Sequence, residues 1–367
     1  MKAQIVIDLS FGDCGKGITT DFLASKEPND TLVIRFSGGH NAGHNVVIDD
    51  KSHIHSSYGS GTLRGIPSYF TEHTCLYLNN LVNENNVLLS NGIIPELYVN
   101  PLTMLTTPYD VAYNRLREKK LGHGSCGTGI GATMSRNLTG YKLYAVDLLN
   151  YDVFLQKLNA IEVYYYEKAL SEGYDEGDYF DLYINEHQSF KTLALNWKAL
   201  FLIQPYSIFR NYSNLVFEGS QGILLDQNHG IFPHVTYANT TSKNAIELCD
   251  KLNILDREIF YITRCYQTRH GNGWMSNQDK IDLVNNDKEI NVFNEWQKEF
   301  KTGEIDYDLL HYSLEIDKIY SGNAERSLVV TCLDQRPDFK FNYDKMRHFN
   351  QIYESYSPES KNFKKIK

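Results

Sequence analysis

The sequence predicts an α/β fold in which residues 1–367 form a single domain: a large, mostly parallel twisted sheet with flanking helices and helical insertions. Three observations predict this fold. Short apolar runs suited to buried strands recur along the chain, glycine-rich turns follow several of them, and segments with helical spacing lie between. No internal repeat, proline-rich linker or low-complexity tract divides the chain, so one domain is expected.

The predicted elements begin with a strand, a glycine-rich turn and a helix. The strands are expected at Gln4–Leu9, Thr31–Phe36, Leu215–Glu218, Ile259–Cys265 and Ser327–Leu333. The first helix is expected to begin in Ile18–Ala24, and helical spacing of Leu, Phe and Tyr also marks Asp147–Leu170 and Thr192–Ile203. The lysine-rich end, SKNFKKIK, is interpreted as a solvated tail.

Composition excludes several classes of function. The net charge of −9 disfavours broad attraction to nucleic acid or anionic lipid, but leaves room for a local basic pocket that binds a small phosphorylated ligand. The six cysteines contain no CxxC pair, which argues against a disulfide scaffold or a zinc site and fits a reducing compartment. The sequence has no signal-peptide pattern and no apolar run near the ~18 residues that span a bilayer, so a cytoplasmic protein is expected.

The turn SFGDCGKG between the first strand and helix is typical of phosphate binding. Backbone N–H groups in such a turn face an anion, and Lys16 adds a positive charge. The turn differs from the standard P-loop because Ser10 replaces the first glycine and Gly17 replaces the hydroxyl residue that would hold magnesium. It contains a carboxylate, Asp13, which near a phosphate requires a cation or a role in proton chemistry. The alternative is a tight turn with a surface lysine.

A second glycine-rich turn, SGGHNAGH, follows the second strand. Its glycines allow the backbone to approach a ligand, and its histidines, His40 and His44, can donate to phosphate oxygens or transfer protons near neutral pH. Two histidines in a glycine loop are also often satisfied polar groups with no such role.

The two turns together resemble the paired signature of the adenylosuccinate synthetase family, the GTP-dependent ligases of purine synthesis. Three further stretches match in order: SCGTGIGA (Ser125–Ala132), VFEGSQGILLDQNHGIFPHVTYANTT (Val216–Thr241) and TRHGNG (Thr268–Gly273). LVVTCLDQ, from Leu328, resembles the family's Thr-Lys-Leu-Asp motif more loosely, and SYSPES resembles Ser-x-Gly-Pro faintly. The resemblance covers nearly the whole chain and implies a P-loop-like nucleotide ligase.

The resemblance implies a two-step reaction in which GTP phosphorylates the 6-oxygen of IMP and the amine of aspartate displaces the phosphate. Asp13 matches the catalytic base for the N1 proton and, with the carbonyl of Gly43, a Mg²⁺ ligand. His44 matches the acid that donates to phosphoryl oxygens, and Lys16 neutralises charge on the transferred group. Gln221 matches the amide that hydrogen-bonds the 6-oxyanion.

The remaining implied contacts form two groups. Nucleotide contacts are expected at Gly12, Gly15, Gly17, Asn41, Thr128, Thr240 and Asp334, and contacts with the amino acid at Arg269, Lys301 and Thr302. A homodimer is also implied. Other readings stay open at some positions: Gln221 as a loop amide, Thr240 with Thr241 as a helix cap, and Glu218 as a core group or a support for a site residue.

The sequence departs from the family pattern in four ways. Gly140 stands where the family has an arginine that reaches the neighbouring subunit's nucleotide, with Arg136 and Lys142 as possible substitutes. The arginine cluster that binds aspartate is replaced by KEFKTGEID (298–306), whose lysines cannot form a bidentate pair with a carboxylate. Cys332 replaces the lysine that stacks on guanine, although Asp334 is present. The chain is also shorter than typical bacterial members.

These departures leave alternatives. A related phage branch acts on dGMP with ATP or dATP; the intact Asp13 favours a hypoxanthine substrate, whereas the short chain and altered base motif favour the phage type. A different amine is a further alternative. A GTPase-like switch leaves the second loop and the Gln221 segment unused, and a regulator that only binds nucleotides has no use for the proton-transfer groups.

Overall fold

A ten-stranded sheet forms the centre of the fold. The structure is a computed structural model that describes residues 1–122, 124–279, 281–284, 289, 291, 296 and 299–367. In chain order, the strands there are β1 (Lys2–Asp8), β2 (Thr31–Arg35), β3 (His44–Ile48), β4 (Lys51–His55), β5 (Ser68–Phe70), β6 (Cys75–Leu76), β7 (Leu97–Val99), β8 (Met104–Leu105), β9 (Leu202–Ile203), β10 (Asn214–Glu218), β11 (Asp256–Arg264), β12 (Gln267–His270), β13 (Phe300–Gly303), β14 (Glu325–Thr331), β15 (Gln351–Ser355) and β16 (Phe363–Lys365).

The large sheet is parallel except at one edge. Its strand order is β16-β15-β14-β11-β1-β10-β2-β5-β7-β9, and only the β15–β16 pair is antiparallel. The central strands β1, β2 and β10 are buried along almost their whole length, which explains their continuous apolar runs, since a parallel sheet is covered on both faces. The predicted α/β fold with a mostly parallel sheet is confirmed.

Helices cover the sheet and form an additional helical layer. They are α1 (Lys16–Ala24), α2 (Leu78–Ser90), α3 (Pro108–Leu121), α4 (Ile130–Asn137), α5 (Tyr151–Ser171), α6 (Glu176–Leu195), α7 (Lys243–Lys251) and α8 (Tyr307–Ser321). A core of strand residues packs against α7 and α8 on one face, whereas a second core joins α2, α3, α5 and α6. None of the described helices combines the length and apolar character that a membrane-spanning segment requires.

The carboxyl ends of the central strands bring distant loops together. Strand β1 lies between β10 and β11, and β2 pairs with the far side of β10. Because these strands are parallel, the loops that follow them emerge at the same edge of the sheet. The two glycine-rich turns and the segment around Gln221 therefore meet there.

Two sequence predictions were wrong in detail. The helix expected over Thr192–Ile203 is only the end of a longer helix, α6, which stops at Leu195. Helix α6 begins at Glu176, where Asp175 caps its first turn. The lysine-rich end is not a solvated tail: β16 pairs with β15, and the Phe363 ring stacks on Phe22 with centroids 4.7 Å apart. The exposed lysines led to the prediction of a solvated tail, although lysine is also common on the edge strands of sheets.

Candidate active site

A cavity of about 730 Å³ lies at the carboxyl edge of the sheet, where both glycine-rich turns line its wall. Many of the predicted site residues also line it. They are Gly12, Asp13, Gly15, Lys16, Gly17, Asn41, Gly43, His44, Gln221, Arg269 and Asp334. Residues far apart in the sequence therefore form one wall around a space large enough for a small-molecule ligand.

Asp8, at the end of β1, organises the first turn. Its carboxylate accepts hydrogen bonds from the backbone N–H groups of Ser10 (2.9 Å) and Cys14 (3.1 Å), and from Lys16 Nζ (2.9 Å). Both charged side chains are buried, so Lys16 is not a surface lysine in a simple turn. The ion pair holds the lysine at the cavity wall.

Gly17 is needed for packing. A Cβ atom built there would lie 2.8 Å from the carbonyl oxygen of Asn45 and 3.0 Å from Cβ of His44. Helix α1 therefore approaches β3 too closely for the serine or threonine of a standard P-loop. This close approach places the first helical turn beside His44.

Asp13 has a left-handed backbone, with φ of 60°. Its carbonyl oxygen accepts from Arg264 Nε at 2.5 Å, and its carboxylate, 29% exposed, faces the cavity 3.6 Å from His270 Nε2. Two other cavity residues, Gln221 and Cys332, are also left-handed, with φ of 49° and 58°. Such conformations cost free energy in non-glycine residues and concentrate at functional sites.

His44 forms a buried pair with Glu218. Its Nδ1 lies 2.6 Å from Oε1 of the glutamate, whose two carboxylate oxygens also accept from the Ser60 side chain and, at 3.0 Å, from its backbone N–H. Among the described residues, none hydrogen-bonds Nε2 of His44. Glu218 is therefore a support for a cavity residue rather than a separate core group.

The protonation states of this pair follow from burial and hydrogen bonding. Burial opposes the charge on Glu218, but His44, Arg35 and Ser60 outweigh it and lower the pKa of Glu218 to about 2. Burial also lowers the pKa of His44, although the neighbouring carboxylate opposes that effect. At neutral pH the glutamate is ionised and the imidazole is neutral, so Nδ1 carries the proton and Nε2 has a free lone pair.

Two amide side chains at the cavity have unsatisfied oxygens. Oε1 of Gln221 and Oδ1 of Asn41 are buried, and no hydrogen-bond partner for either lies in the described part of the chain. Buried amides usually find partners in folded proteins. Their placement on the cavity wall indicates that a ligand completes these hydrogen bonds.

Arg269 brings a buried cation to the cavity. Its guanidinium donates to the carbonyl oxygens of Trp274 (2.6 Å) and His234 (2.9 Å) and lies 4.4 Å from the ring centre of Phe11. Burial lowers the pKa of Arg269 to about 10, so it stays charged at neutral pH. No carboxylate pairs with it among the described residues, which favours an anionic ligand.

The other two residues predicted to contact the amino-acid substrate lie away from the cavity wall. Lys301 and Thr302 belong to β13, which pairs with β12, and neither lines the cavity. Lys301 Nζ donates to the carbonyl of Gly273 at 3.1 Å. Lys298 lies outside the described residues.

Thr128 and Thr240 also do not line the cavity. The Thr240 hydroxyl donates to the carbonyl of Gly222 at 2.9 Å, and its N–H donates to Asp226 at 2.7 Å, so it holds its own loop together. The carbonyl of Thr128 lies 3.0 Å from Nε2 of His40. Burial lowers the pKa of His40 to about 4, which makes it a neutral structural group. The predicted nucleotide contacts of both threonines stay predictions.

The positions that depart from the family pattern differ in their burial and in their contacts. Arg136 is fully buried, with Nε 2.9 Å and Nη2 3.0 Å from the two oxygens of Asp110, so it is not available to a neighbouring subunit. Gly140 has open space around it, and Lys142 is exposed nearby. Cys332 lines the cavity, and burial raises the pKa of its thiol, so it is neutral where the family has a lysine.

Sequence reasoning missed three residues of the site: Asp8, Arg264 and His270. Asp8 had a visible signal, because it is the acidic residue within the apolar run IVIDL. His270 lies within the motif TRHGNG, which by itself indicates no role for it. Its proximity to Asp13 depends on tertiary packing that local sequence does not reveal.

The residues present fit a magnesium ion. Mg²⁺ is usually bound through one or two carboxylates, with the remaining positions filled by water and substrate phosphates. The partly exposed Asp13 carboxylate and the exposed backbone of Gly43 both line the cavity beside the phosphate-binding turn. The Asp13 carboxylate has no lysine or arginine partner among the described residues, so its charge is available to a cation.

Comparison with known proteins identifies the family. The model of the family described as adenylosuccinate synthetase matches residues 5–340. The chain belongs to the adenylosuccinate synthetase family. The synthetase of Borrelia duttonii is 30% identical over 284 residues, which are 74% of this chain and 64% of that protein, less than two thirds of its length. The synthetase of Buchnera aphidicola is 29% identical, over 92% of this chain and 78% of the relative.

Solved structures share the fold. The fully ligated adenylosuccinate synthetase of Plasmodium falciparum superposes with a TM-score of 0.67 at 19% identity, covering 100% of this chain and 87% of that one. Cyanophage S-2L succinoaminodeoxyadenylate synthetase, bound to dGMP and dATP as an energy donor, also gives 0.67, at 14% identity, with 99% and 95% covered. The equal scores do not separate the two types.

Proposed function

We propose that this chain is a carbon–nitrogen ligase that phosphorylates the 6-oxygen of IMP with GTP and replaces the phosphate by the amine of L-aspartate, giving adenylosuccinate. Family membership supports the reaction class. The single observation that carries the proposal is that Asp13, Lys16 and His44, from two consecutive glycine-rich turns, line one cavity together with Gln221. A protein that only binds nucleotides would need the lysine but not the acid–base groups.

In the first step, the Asp13 carboxylate takes the N1 proton of the purine, so that electron density moves to the 6-oxygen. The 6-oxygen attacks the terminal phosphorus of the nucleoside triphosphate, the bond to the bridging oxygen breaks, and the nucleoside diphosphate leaves. Lys16 and His44 face the charge that spreads over the transferred group. Mg²⁺ bound by Asp13 and Gly43 would supply further charge neutralisation for the phosphates.

In the second step, the amine attacks C6, the 6-phosphate leaves as inorganic phosphate, and the amine loses a proton. Gln221 lines the cavity, and its amide N–H would donate to the 6-oxygen before that oxygen departs. Arg269 supports an amine that carries a carboxylate, because its buried charge has no acidic partner in the described part of the chain. Aspartate, with two carboxylates, is the proposed co-substrate.

A second candidate is a phage-type enzyme that acts on dGMP with ATP or dATP. The neutral thiol of Cys332 favours it, because a thiol lacks the cation–π stacking that a lysine offers to guanine. Asp334, in contrast, lines the cavity and supports GTP rather than ATP or dATP as the phosphate donor. The intact Asp13 favours IMP over dGMP as the acceptor.

The proposed assembly is a homodimer. Arg136 is held by Asp110, so Lys142 is the proposed replacement for the arginine that Gly140 lacks. A lysine two residues farther along the exposed turn supplies charge but no bidentate contact with phosphate.

A panel assay tests the function. IMP, dIMP, GMP or dGMP is combined with GTP, ATP or dATP and with several amino acids, and products are identified by mass. A succinylated product from IMP supports the first proposal, whereas the same product from dGMP supports the second. Absence of any succinylated product overturns both.

Asp13→Asn separates a ligase from a regulator. Asparagine is isosteric and tolerates the left-handed backbone. We expect turnover to fall by about 10²- to 10⁴-fold, while nucleotide binding measured by calorimetry persists. Unchanged phosphate release from the variant would exclude Asp13 as the base.

A further inference from the structure

Two histidines and a glutamate form a buried cluster outside the active-site cavity. His53 and His55 alternate along β4, so their side chains point to the same face of the β3–β4 hairpin. Glu84 extends from α2 to meet them. None of the three lines the cavity described above. The cluster therefore lies outside the proposed ligase site.

The donor atoms of these side chains converge. Nε2 of His53 lies 3.2 Å and Nδ1 of His55 lies 3.9 Å from the same oxygen, Oε1 of Glu84. One ligand atom from each residue lies within 4.8 Å of the others. In a tetrahedral zinc site with bonds of about 2.0 Å, ligand atoms are about 3.3 Å apart. Binding of an ion would require the three atoms to move together from the 4.8 Å within which they lie.

His55 is the second, independent indication of a ligand. Its side chain is fully buried, and neither ring nitrogen has a hydrogen-bond partner in the described part of the chain. A neutral imidazole with a free lone pair is the form that binds metals.

Hydrogen bonds hold the carboxylate of Glu84 beside the histidines. Its oxygens accept hydrogen bonds from the Ser57 backbone N–H (2.6 Å) and from the hydroxyl of Ser56 (2.8 Å). These hydrogen bonds orient the carboxylate, as supporting hydrogen bonds commonly do in metal sites.

We propose that His53, His55 and Glu84 bind a divalent transition-metal ion, with Zn²⁺ as the best match. Imidazole nitrogens with one carboxylate oxygen are zinc ligands, and three protein ligands leave a fourth position for water. The two nitrogen donors distinguish this site from the all-oxygen contacts expected for Mg²⁺ at Asp13. The cysteine pattern gave no sign of it, because the ligands are not cysteines.

The site is directly connected to the candidate active site through the hairpin. His55 and His44 are paired residues on adjacent strands β4 and β3. An ion that joins β4 to α2 holds the strand opposite His44 in position. The metal therefore stabilises the element that carries a catalytic imidazole without contacting the substrates.

In the test, the full chain is first treated with a chelator and dialysed. Its metal binding is then measured. We expect about one Zn²⁺ per chain by elemental analysis, and, with Co²⁺ alone, the visible absorption of a site with nitrogen ligands and low coordination number. The matched variant is His53→Gln, whose amide still donates to Glu84 and keeps that hydrogen bond. Ser52→Ala, on the same strand and exposed, is the control.

The proposal requires His53→Gln to weaken Zn²⁺ binding at least about 100-fold, since removing even outer partners of a ligand costs 10- to 100-fold. Ser52→Ala and Asp13→Asn retain the ion, and Zn²⁺ raises the Tm of the wild type but not of His53→Gln. A wild type without Co²⁺ absorption or retained Zn²⁺ would overturn the proposal. Equal binding by His53→Gln and wild type would overturn it as well.

Discussion

The buried His44–Glu218 pair offers the most direct test of how the site works. Glu218 is 0% exposed and does not line the cavity, so it acts through His44. Its carboxylate fixes the proton on Nδ1 and stabilises the imidazolium that forms when Nε2 binds a proton. Glu218→Gln keeps the shape of the side chain but removes the charge.

The expected magnitude follows from the hydrogen bonds that change. A hydrogen bond to a charged group is worth about 1.5–3 kcal/mol, and each 1.36 kcal/mol is tenfold in rate, so kcat should fall about 10- to 150-fold. KM values should change less than about threefold, because Glu218 does not contact the cavity. The amide nitrogen of glutamine cannot accept from the backbone N–H of Ser60 as the second carboxylate oxygen does, so the free energy of unfolding should fall by about 1–3 kcal/mol.

The assay is steady-state formation of the succinylated product at saturating substrates, with urea unfolding as the stability check. Ser60→Ala is the matched control, because it removes one hydrogen bond from Glu218 but keeps the charge; we expect a loss of about 2- to 10-fold. His44→Asn combined with Glu218→Gln should be no slower than His44→Asn alone. A Glu218→Gln enzyme with kcat within threefold of wild type, or an additive double variant, would refute the reasoning.

Three further predictions concern proton uptake, base recognition and the buried ion pair. Burial lowers the pKa of His44 in the free protein, so the imidazole is neutral there. The negative charge of a bound triphosphate should raise that pKa, so nucleotide binding should take up a proton. Calorimetry in buffers of different ionisation enthalpy should detect this uptake in the wild type but not in His44→Asn. Cys332→Lys should raise the kcat/KM ratio for GTP over ATP by about 2- to 30-fold, the range of a cation–π contact, and an unchanged ratio would exclude stacking at this position. Arg136→Leu should lower the free energy of unfolding, measured with urea, by about 3–5 kcal/mol, because it leaves Asp110 buried without its arginine partner. Lys142 is exposed, so Lys142→Ala should change the free energy of unfolding by less than about 0.5 kcal/mol. Equal effects of the two substitutions would contradict a structural role for Arg136.

Local sequence was sufficient for the fold class and for the loops of the site. Apolar runs predicted the central strands because these strands are buried on both faces. The glycine-rich turns were recognisable because their function depends on backbone N–H groups and close approach, which short stretches of sequence encode. The order of the motifs along the chain was enough to indicate the family. Asp13, Lys16, His44 and Gln221 were identified from those motifs and all line one cavity.

Pairings between distant residues were decided only by the tertiary structure. Glu218 lies 174 positions from His44, and its role became visible only when β10 and the second glycine-rich turn met at the sheet edge. The same holds for His270 beside Asp13, and for His53, His55 and Glu84 between a hairpin and a helix. Composition and periodicity report which residues are buried, whereas contacts across the fold depend on strand order and register. That physical difference explains why the sequence indicated the chemistry of the site but not its supporting partners.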